Sequence, residues 1–275
     1  MVGGWAGRRV GGRARARAHA LRAPPFALAG RGALGYRSGA MSLPSFSLER
    51  ILEHLLYLPL FIISLSVHEW AHAWMAYRLG DNTAKLQGRL TLNPLAHIDP
   101  FGTILVPVFS GFIGWAKPVP FNPVALSRKL TMRTGIMLVA LAGPLSNVVQ
   151  AVVGTLVYGV VEGVTNVLLA RGATVAWYPA FDGFAQAYIF LNCALAVFNL
   201  IPITPLDGSK VLYGVLPRRM GDALLESEFL ARYGFIILMV LFVAAAPVAN
   251  FIMWPRDALA RLLFALAGAI SGLIA

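Results

Sequence analysis

Charged side chains are scarce in this sequence. Asp, Glu, Lys and Arg together make up 13% of 275 residues, and only 12 residues are acidic. A water-soluble domain carries about a quarter, so the shortage excludes an ordinary soluble globular fold. Cysteine is nearly missing as well. Cys193 stands alone inside an apolar run, so no intramolecular disulfide forms and a multi-cysteine zinc cluster is excluded. A long polar stretch is also lacking. The widest gap between apolar runs, residues 80–132, is itself apolar and rich in Pro and Gly, which leaves no room for a large soluble domain. No internal repeat is present.

What is there is apolar. Hydrophobic residues reach 58% and mean hydropathy is +0.70, the profile of an integral membrane protein. A spanning helix needs about 20 mostly apolar residues. Four stretches satisfy this: 48–79, 135–161, 184–201 and 235–251. A final apolar piece, 256–275, is interrupted by Arg261 and reads as a fifth span or an interfacial helix. The expected fold is an all-α polytopic membrane protein with a three-helix core and one or two further spans. Within 80–132, FGTILVPVFSGFIG (101–114) is apolar but too short to cross and reads as a re-entrant segment. AKLQGRLTL before it alternates weakly, and GWAKPVPFNP after it is extended by its prolines. These two pieces are expected to pair as a small β-element at the membrane surface.

Charge is distributed unevenly. Residues 1–40 hold eight arginines and no acidic residue. Removing these eight from the formal net charge of +11 leaves +3. This Gly/Ala/Arg-rich stretch reads either as a basic arm or, more simply, as a low-complexity leader, disordered or absent from the mature protein. Met41 opens a plausible beginning, and the folded domain is expected over 41–255. Arg78, Lys85, Arg89, Lys117, Arg128, Lys129 and Arg133 lie between the first two spans, and Lys210, Arg218, Arg219 and Arg232 lie between the third and fourth. Arg171 alone lies between the second and third. Cytoplasmic loops carry the Lys/Arg excess, so the first span runs from outside to inside. The arginine leader would then face outward against that rule, a second reason to set it apart.

The first span contains His68-Glu69-Trp70-Ala71-His72. Residues four apart share a helix face, so His68 and His72 project together and suit one Zn²⁺ ion. Glu69 is placed to hold a reacting water, the HExxH arrangement of zinc peptidases. His72 lies six residues before Arg78, about 9 Å inside the helix end at 1.5 Å per residue. Ionisable groups at membrane depth are costly unless paired or bound. That makes the motif more specific here than its three fixed positions would in a soluble chain. The plainer alternative is a satisfied polar cluster between helices. A catalytic zinc takes three protein ligands and one open position. Asp207, in NLIPITPLDGSK, lies near the cytoplasmic end of another span, in backbone broken by Pro202 and Pro205; its alternative role is a turn or helix cap. Cys193 lies mid-span, Asp182 at the opposite face and Asp99 in a turn, while Asp222, Glu226 and Glu228 read as solvated charges. His97 reads as a loop histidine or an extra ligand, and His54 as interfacial. Asn147 would hydrogen-bond between helices. Asn199 would either support Asp207, as metal-binding carboxylates are themselves hydrogen-bonded, or cap the broken helix.

HEWAH, then GPLSN, then NLIPITPLDG, with LNPLAHIDPFGT and GWAKPVPFNP between, resembles the site-2 protease family of intramembrane zinc metalloproteases, in its compact bacterial branch. The likeness covers about residues 45–215 and includes Asn199, Pro202, Asp207 and Gly208 in register. It implies a three-helix catalytic core, zinc held by His68, His72 and Asp207, Glu69 as general base, and Asn147 near the substrate or the transition-state oxygen. It also implies cleavage of transmembrane substrates near the cytoplasmic face of the cell membrane. The PDZ or CBS domains common in the family have no counterpart here. Substrate opening would be served by strand addition to the expected β-element. Partners are then a membrane-spanning substrate and the bilayer, without nucleic acid, and a homo-oligomer is left open. The competing functions are a metal-ion transporter, disfavoured by the apolar outer half of the spans, and a catalytically inactive adaptor, disfavoured by the intact Glu69.

Overall fold

The computed structural model describes residues 48–110, 114–225, 227–244 and 246–275. The leader 1–40, the beginning at Met41 and Glu226 lie outside the described residues. The first helix, α1, runs over Leu48–Arg78, with Glu49 in its first turn and Arg78 in its last, charges that complement the helix dipole. A single helical turn, α2 (Thr83–Leu86), follows. After a tight 3₁₀ turn at Pro94–Ala96 and a wider π-helical stretch at Pro100–Leu105 comes the short α3 (Val106–Ser110). Helix α4 (Met132–Ala170) is capped by Thr131, whose hydroxyl accepts from the Thr134 N–H, and Gly172 turns the chain at φ +81° beyond its end. Next come α5 (Tyr178–Asn199), α6 (Asp207–Val215), α7 (Arg218–Leu225), α8 (Glu228–Ala244) and α9 (Ala246–Ile274).

Among the described residues, four helices are long and apolar enough to cross a membrane: Ile51–Arg78, Met132–Ala170, Tyr178–Asn199 and Asn250–Ile274. The protein is thus an all-α, multi-pass membrane protein. The expected fourth span, 235–251, falls across α8 and α9, and the C-terminal piece 256–275 lies within the 29-residue α9. Helix α4, at 39 residues, is about 58 Å long, nearly twice a hydrocarbon core of about 30 Å. It must tilt or protrude.

Side-chain contacts fix the helix directions. His68 and His72 of α1 meet Asn147 and Val139 of α4 in descending order, so the two helices are antiparallel. Tyr158 and Gln150 of α4 meet Asp182 and Tyr188 of α5, again antiparallel. Ser64 and Tyr57 of α1 meet Asn192 and Phe184 of α5, so α1 and α5 run parallel. Helix α9 lies along the distal half of α4. Gly159 abuts Ala267, and Gly163 abuts Ser271 and Ile274, the close approach through small residues that membrane helices use in place of a hydrophobic driving force. Ala151, Tyr158, Ile189, Cys193, Ala260, Leu263 and Ala267 close the core between α4, α5 and α9.

The segment expected to be re-entrant lies along α1. At its far end the Val108 carbonyl accepts from His54 Nδ1 at 2.9 Å. At its base Lys117 N–H donates to the His97 carbonyl at 2.9 Å, and Val119 N–H reaches Glu69. His54 and Glu69 are 15 residues apart on α1, so the excursion covers about 22 Å of the helix at 1.5 Å per residue.

The expected β-element is corrected: no strand occurs among the described residues. Asp81 accepts from the Thr83 N–H and hydroxyl and starts a helical turn where the alternating pattern suggested a strand. In GWAKPVPFNP the prolines at 118 and 120 have no N–H. The Trp115, Lys117, Val119 and Asn122 N–H groups go to Gly102 O, His97 O, Glu69 Oε2 and Asp81 Oδ2. The segment is a strap bound down by its own chain, without a run of free donors for a ladder.

Candidate metal centre

Helix α1 presents His68 and His72 one turn apart on its buried face, and α6 presents Asp207 at its first residue. Their ligand atoms converge. His68 Nε2 lies 3.2 Å and His72 Nε2 3.1 Å from Asp207 Oδ2, and the two Nε2 atoms are 3.0 Å apart. All three residues are buried. They are the group of metal-ligating side chains that comes together among the described residues.

The spacing fits zinc. Bonds of about 2.0–2.2 Å at tetrahedral angles separate neighbouring ligand atoms by about 3.3–3.6 Å, a few tenths of an ångström wider than the 3.0–3.2 Å seen. The histidine tautomers fit as well. His72 Nδ1 faces the Val139 carbonyl at 2.7 Å, which only accepts, so this nitrogen carries the proton and a neutral ring turns the Nε2 lone pair to the centre. His68 Nδ1 faces Asn147 Oδ1 at 2.6 Å, with the same result. With both rings neutral, two Nε2 lone pairs and a carboxylate oxygen aim at one point, a donor set that fits a divalent cation. Asp207 supplies the carboxylate, its Oδ2 facing both Nε2 atoms. Its second oxygen faces Lys210 Nζ at 3.8 Å.

Two glycines make the approach possible. A Cβ on Gly143 of α4 would sit 2.3 Å from His72 Nε2 and 2.6 Å from His68 Cε1, so the imidazoles pack on bare backbone. A Cβ on Gly208 would sit 2.2 Å from the Leu200 carbonyl oxygen. Only glycine lets the start of α6 nest on the end of α5, and this seats Asp207.

Glu69 is held by the strap, its Oε2 accepting from the Val119 N–H at 3.0 Å. Pro118 and Pro120 flank that donor, the one N–H in the Pro-Val-Pro run. Asn147 is fully buried and bonds His68 rather than open space. Asn199 donates to the Leu195 carbonyl at 2.9 Å, one turn back in its own helix, and the ionic neighbours of Asp207 are His68, His72 and Lys210. His97 donates from Nε2 to the Thr91 carbonyl at 2.8 Å and ties its own loop, apart from the three-residue group. Sequence reasoning passed over Asn192, Gly143 and the Val139 carbonyl. For Asn192 a signal existed: an amide in mid-span demands a partner.

Comparison with known proteins matches residues 56–241 to the family described as Peptidase family M50. "Putative zinc metalloprotease YwhC" of Bacillus subtilis (strain 168) is 40% identical over 210 residues, covering 74% of this chain and 89% of the relative. "Putative zinc metalloprotease Rip2" of Mycolicibacterium smegmatis is 33% identical over 67% of this chain and 65% of its own length. The protein of that name from Mycobacterium tuberculosis (strain ATCC 25618 / H37Rv) is 28% identical over 66% of this chain and 64% of its own. No solved structure matches significantly. With most of the chain matched to the family model and a zinc-compatible cluster built from one membrane helix and the short α6, the chain belongs to peptidase family M50, the site-2 protease family, and is a multi-pass membrane zinc metalloprotease.

Proposed function

We propose that the protein is an intramembrane endopeptidase that cuts membrane-spanning substrates near the cytoplasmic face of the cell membrane, with zinc held by His68, His72 and Asp207 and with Glu69 as general base. The observation that carries this reading is the meeting of three ligand atoms within 3.0–3.2 Å of one another, two of them from a spanning helix.

When bound there, zinc supplies Lewis acidity, polarising the scissile carbonyl and lowering the pKa of water towards neutrality. The protein's own groups do the rest. His68, His72 and Asp207 leave one coordination position for water or substrate. Glu69, one oxygen steadied by Val119 N–H, takes the proton of the attacking water and passes it to the leaving amine. Asn147 acts by orienting His68. The strap's Lys117 and Val119 N–H groups are taken by the chain itself, so they are not offered to an added substrate strand. The cytoplasmic orientation is supported by the Lys and Arg residues that follow α1 and α5, against Arg171 alone between α4 and α5.

The test is purification in detergent, measurement of bound zinc, and incubation with single-span substrates. Glu69→Gln is expected to keep zinc and to lose cleavage by about 10²–10⁴-fold. Undiminished cleavage by that variant would remove Glu69 from the chemistry.

A further inference from the structure

We propose that Asn192, at mid-height of α5, is a positioning residue for the metal centre: it sets the proton of His68 through Asn147. The inference rests on the reading of His68 as a zinc ligand. Asn192 and Asn147 are both fully buried, and each amide orientation follows from its neighbour. Asn192 Nδ2 lies 3.0 Å from the Tyr188 carbonyl. A carbonyl only accepts, so the atom facing it is the NH₂ group and the amide cannot be turned round without loss. The same nitrogen lies 3.0 Å from Ser64 Oγ of α1. Asn192 therefore presents its oxygen to Asn147, whose Nδ2 donates to it at 2.9 Å. This commits the Asn147 oxygen to His68 Nδ1, at 2.6 Å. An oxygen there requires Nδ1–H, and a neutral His68 then keeps its Nε2 lone pair for the metal.

Were Asn147 free to rotate about its amide, its NH₂ could face His68 equally well. The ring would then carry its proton on Nε2, pointing at the cation. Nothing else touching Asn147 enforces the productive sense: its hydrogen bonds are those to His68 and Asn192. His72 needs no such relay, because a backbone carbonyl, which cannot flip, faces its Nδ1. Donation runs from His68 of α1 to Asn147 of α4, from Asn147 to Asn192 of α5, and from Asn192 to the Tyr188 carbonyl, one polar rung across three spanning helices.

The experiment measures zinc affinity of the purified full-length protein in detergent, by competition with a chromophoric chelator, together with the visible absorption spectrum of the Co²⁺-substituted form. Three variants are compared with the parent. Asn192→Leu keeps nearly the same volume and removes the polarity; zinc affinity is expected to fall 10–100-fold, the range for loss of a group that orients a ligand, with an altered Co²⁺ spectrum. Asn192→Asp still offers an acceptor to Asn147 whichever way it turns. Its zinc affinity is expected to stay within threefold of the parent while its melting temperature falls. A packing role predicts the reverse order, with the buried carboxylate the worse of the two. Affinity within threefold of the parent in Asn192→Leu, or a loss of tenfold or more in Asn192→Asp, overturns the proposal, and the second criterion stands by itself if the leucine variant does not fold. His68→Ala separates the two levels. If it binds zinc like the parent, the ligand assignment fails. If it loses zinc while Asn192→Leu retains it, only the relay fails.

Discussion

Replacing Gly143 with alanine adds one methyl group, and the structure says where it goes. The new Cβ would lie 2.3 Å from His72 Nε2, 2.5 Å from its Cε1 and 2.6 Å from His68 Cε1. Ordinary contacts between such atoms are about 3.5–4.0 Å, so the rings must withdraw by about 1 Å. They have little freedom to do so. Each is pinned behind by its Nδ1, His68 at 2.6 Å from Asn147 and His72 at 2.7 Å from Val139 O, and a shift of about 1 Å stretches such a bond past the hydrogen-bonding range. Overpacking of this kind costs about 1–3 kcal/mol, and misplacing a reacting group by about 1 Å costs about 10²-fold in rate. Gly143→Ala is therefore expected to lose about 10–100-fold in zinc affinity and to melt at a lower temperature. The zinc-dependent rise in melting temperature expected of the parent should be abolished. The assay is a chelator competition beside thermal unfolding with and without added zinc. Gly268→Ala, in α9 with nothing within 4 Å of the added carbon, is the control and should match the parent. A Gly143→Ala protein that binds one zinc within threefold of parental affinity would refute the packing argument.

Three further outcomes are expected. Val119→Pro deletes the one N–H in the Pro-Val-Pro run and with it the bond to Glu69; a hydrogen bond to a charged group contributes about 1.5–3 kcal/mol, so cleavage should slow by about tenfold or more while bound zinc, measured on the same preparation, stays constant. Gly208→Ala drives a methyl into the Leu200 and Ile201 carbonyls and should lower both melting temperature and zinc content, because α6 can no longer seat Asp207; unchanged zinc would show that the seat is loose. Asp207→Ala removes one of the three proposed ligands and should leave less than one zinc per chain after dialysis, with no cleavage of single-span substrates.

Much of the site was legible because the chemistry depends on local spacing. His68 and His72 four apart on a helix, and Asp207 in a Pro-broken, Gly-followed segment, carry their meaning within a few residues. The spans were legible in position but not in length. Apolar composition marks where a chain is comfortable in lipid, whereas α4 begins at the Thr131 cap and ends before Gly172, both outside the most apolar stretch. The β-element misled because weak alternation in AKLQGRLTL carries no knowledge of Asp81, whose side chain starts a helical turn beside it. The Val139 carbonyl was unreadable for a different reason: a backbone acceptor has no residue identity, and only folding reveals which histidine it meets. Asn147 could be singled out, but its bond to His68 in one direction and Asn192 in the other spans 79 and 45 residues of sequence separation, beyond any local pattern.

The division of the donors between α1 and α6 bears on how the enzyme is born. As the polypeptide leaves the ribosome, the imidazole pair emerges first, and the carboxylate follows only after two more membrane passes. Until then any captured ion is half-dressed, and the strap that steadies Glu69 has no finished cleft to serve. On the proposed assignment the three donors can meet only when the last of the three core helices has been threaded and the Gly208 turn has folded back against it.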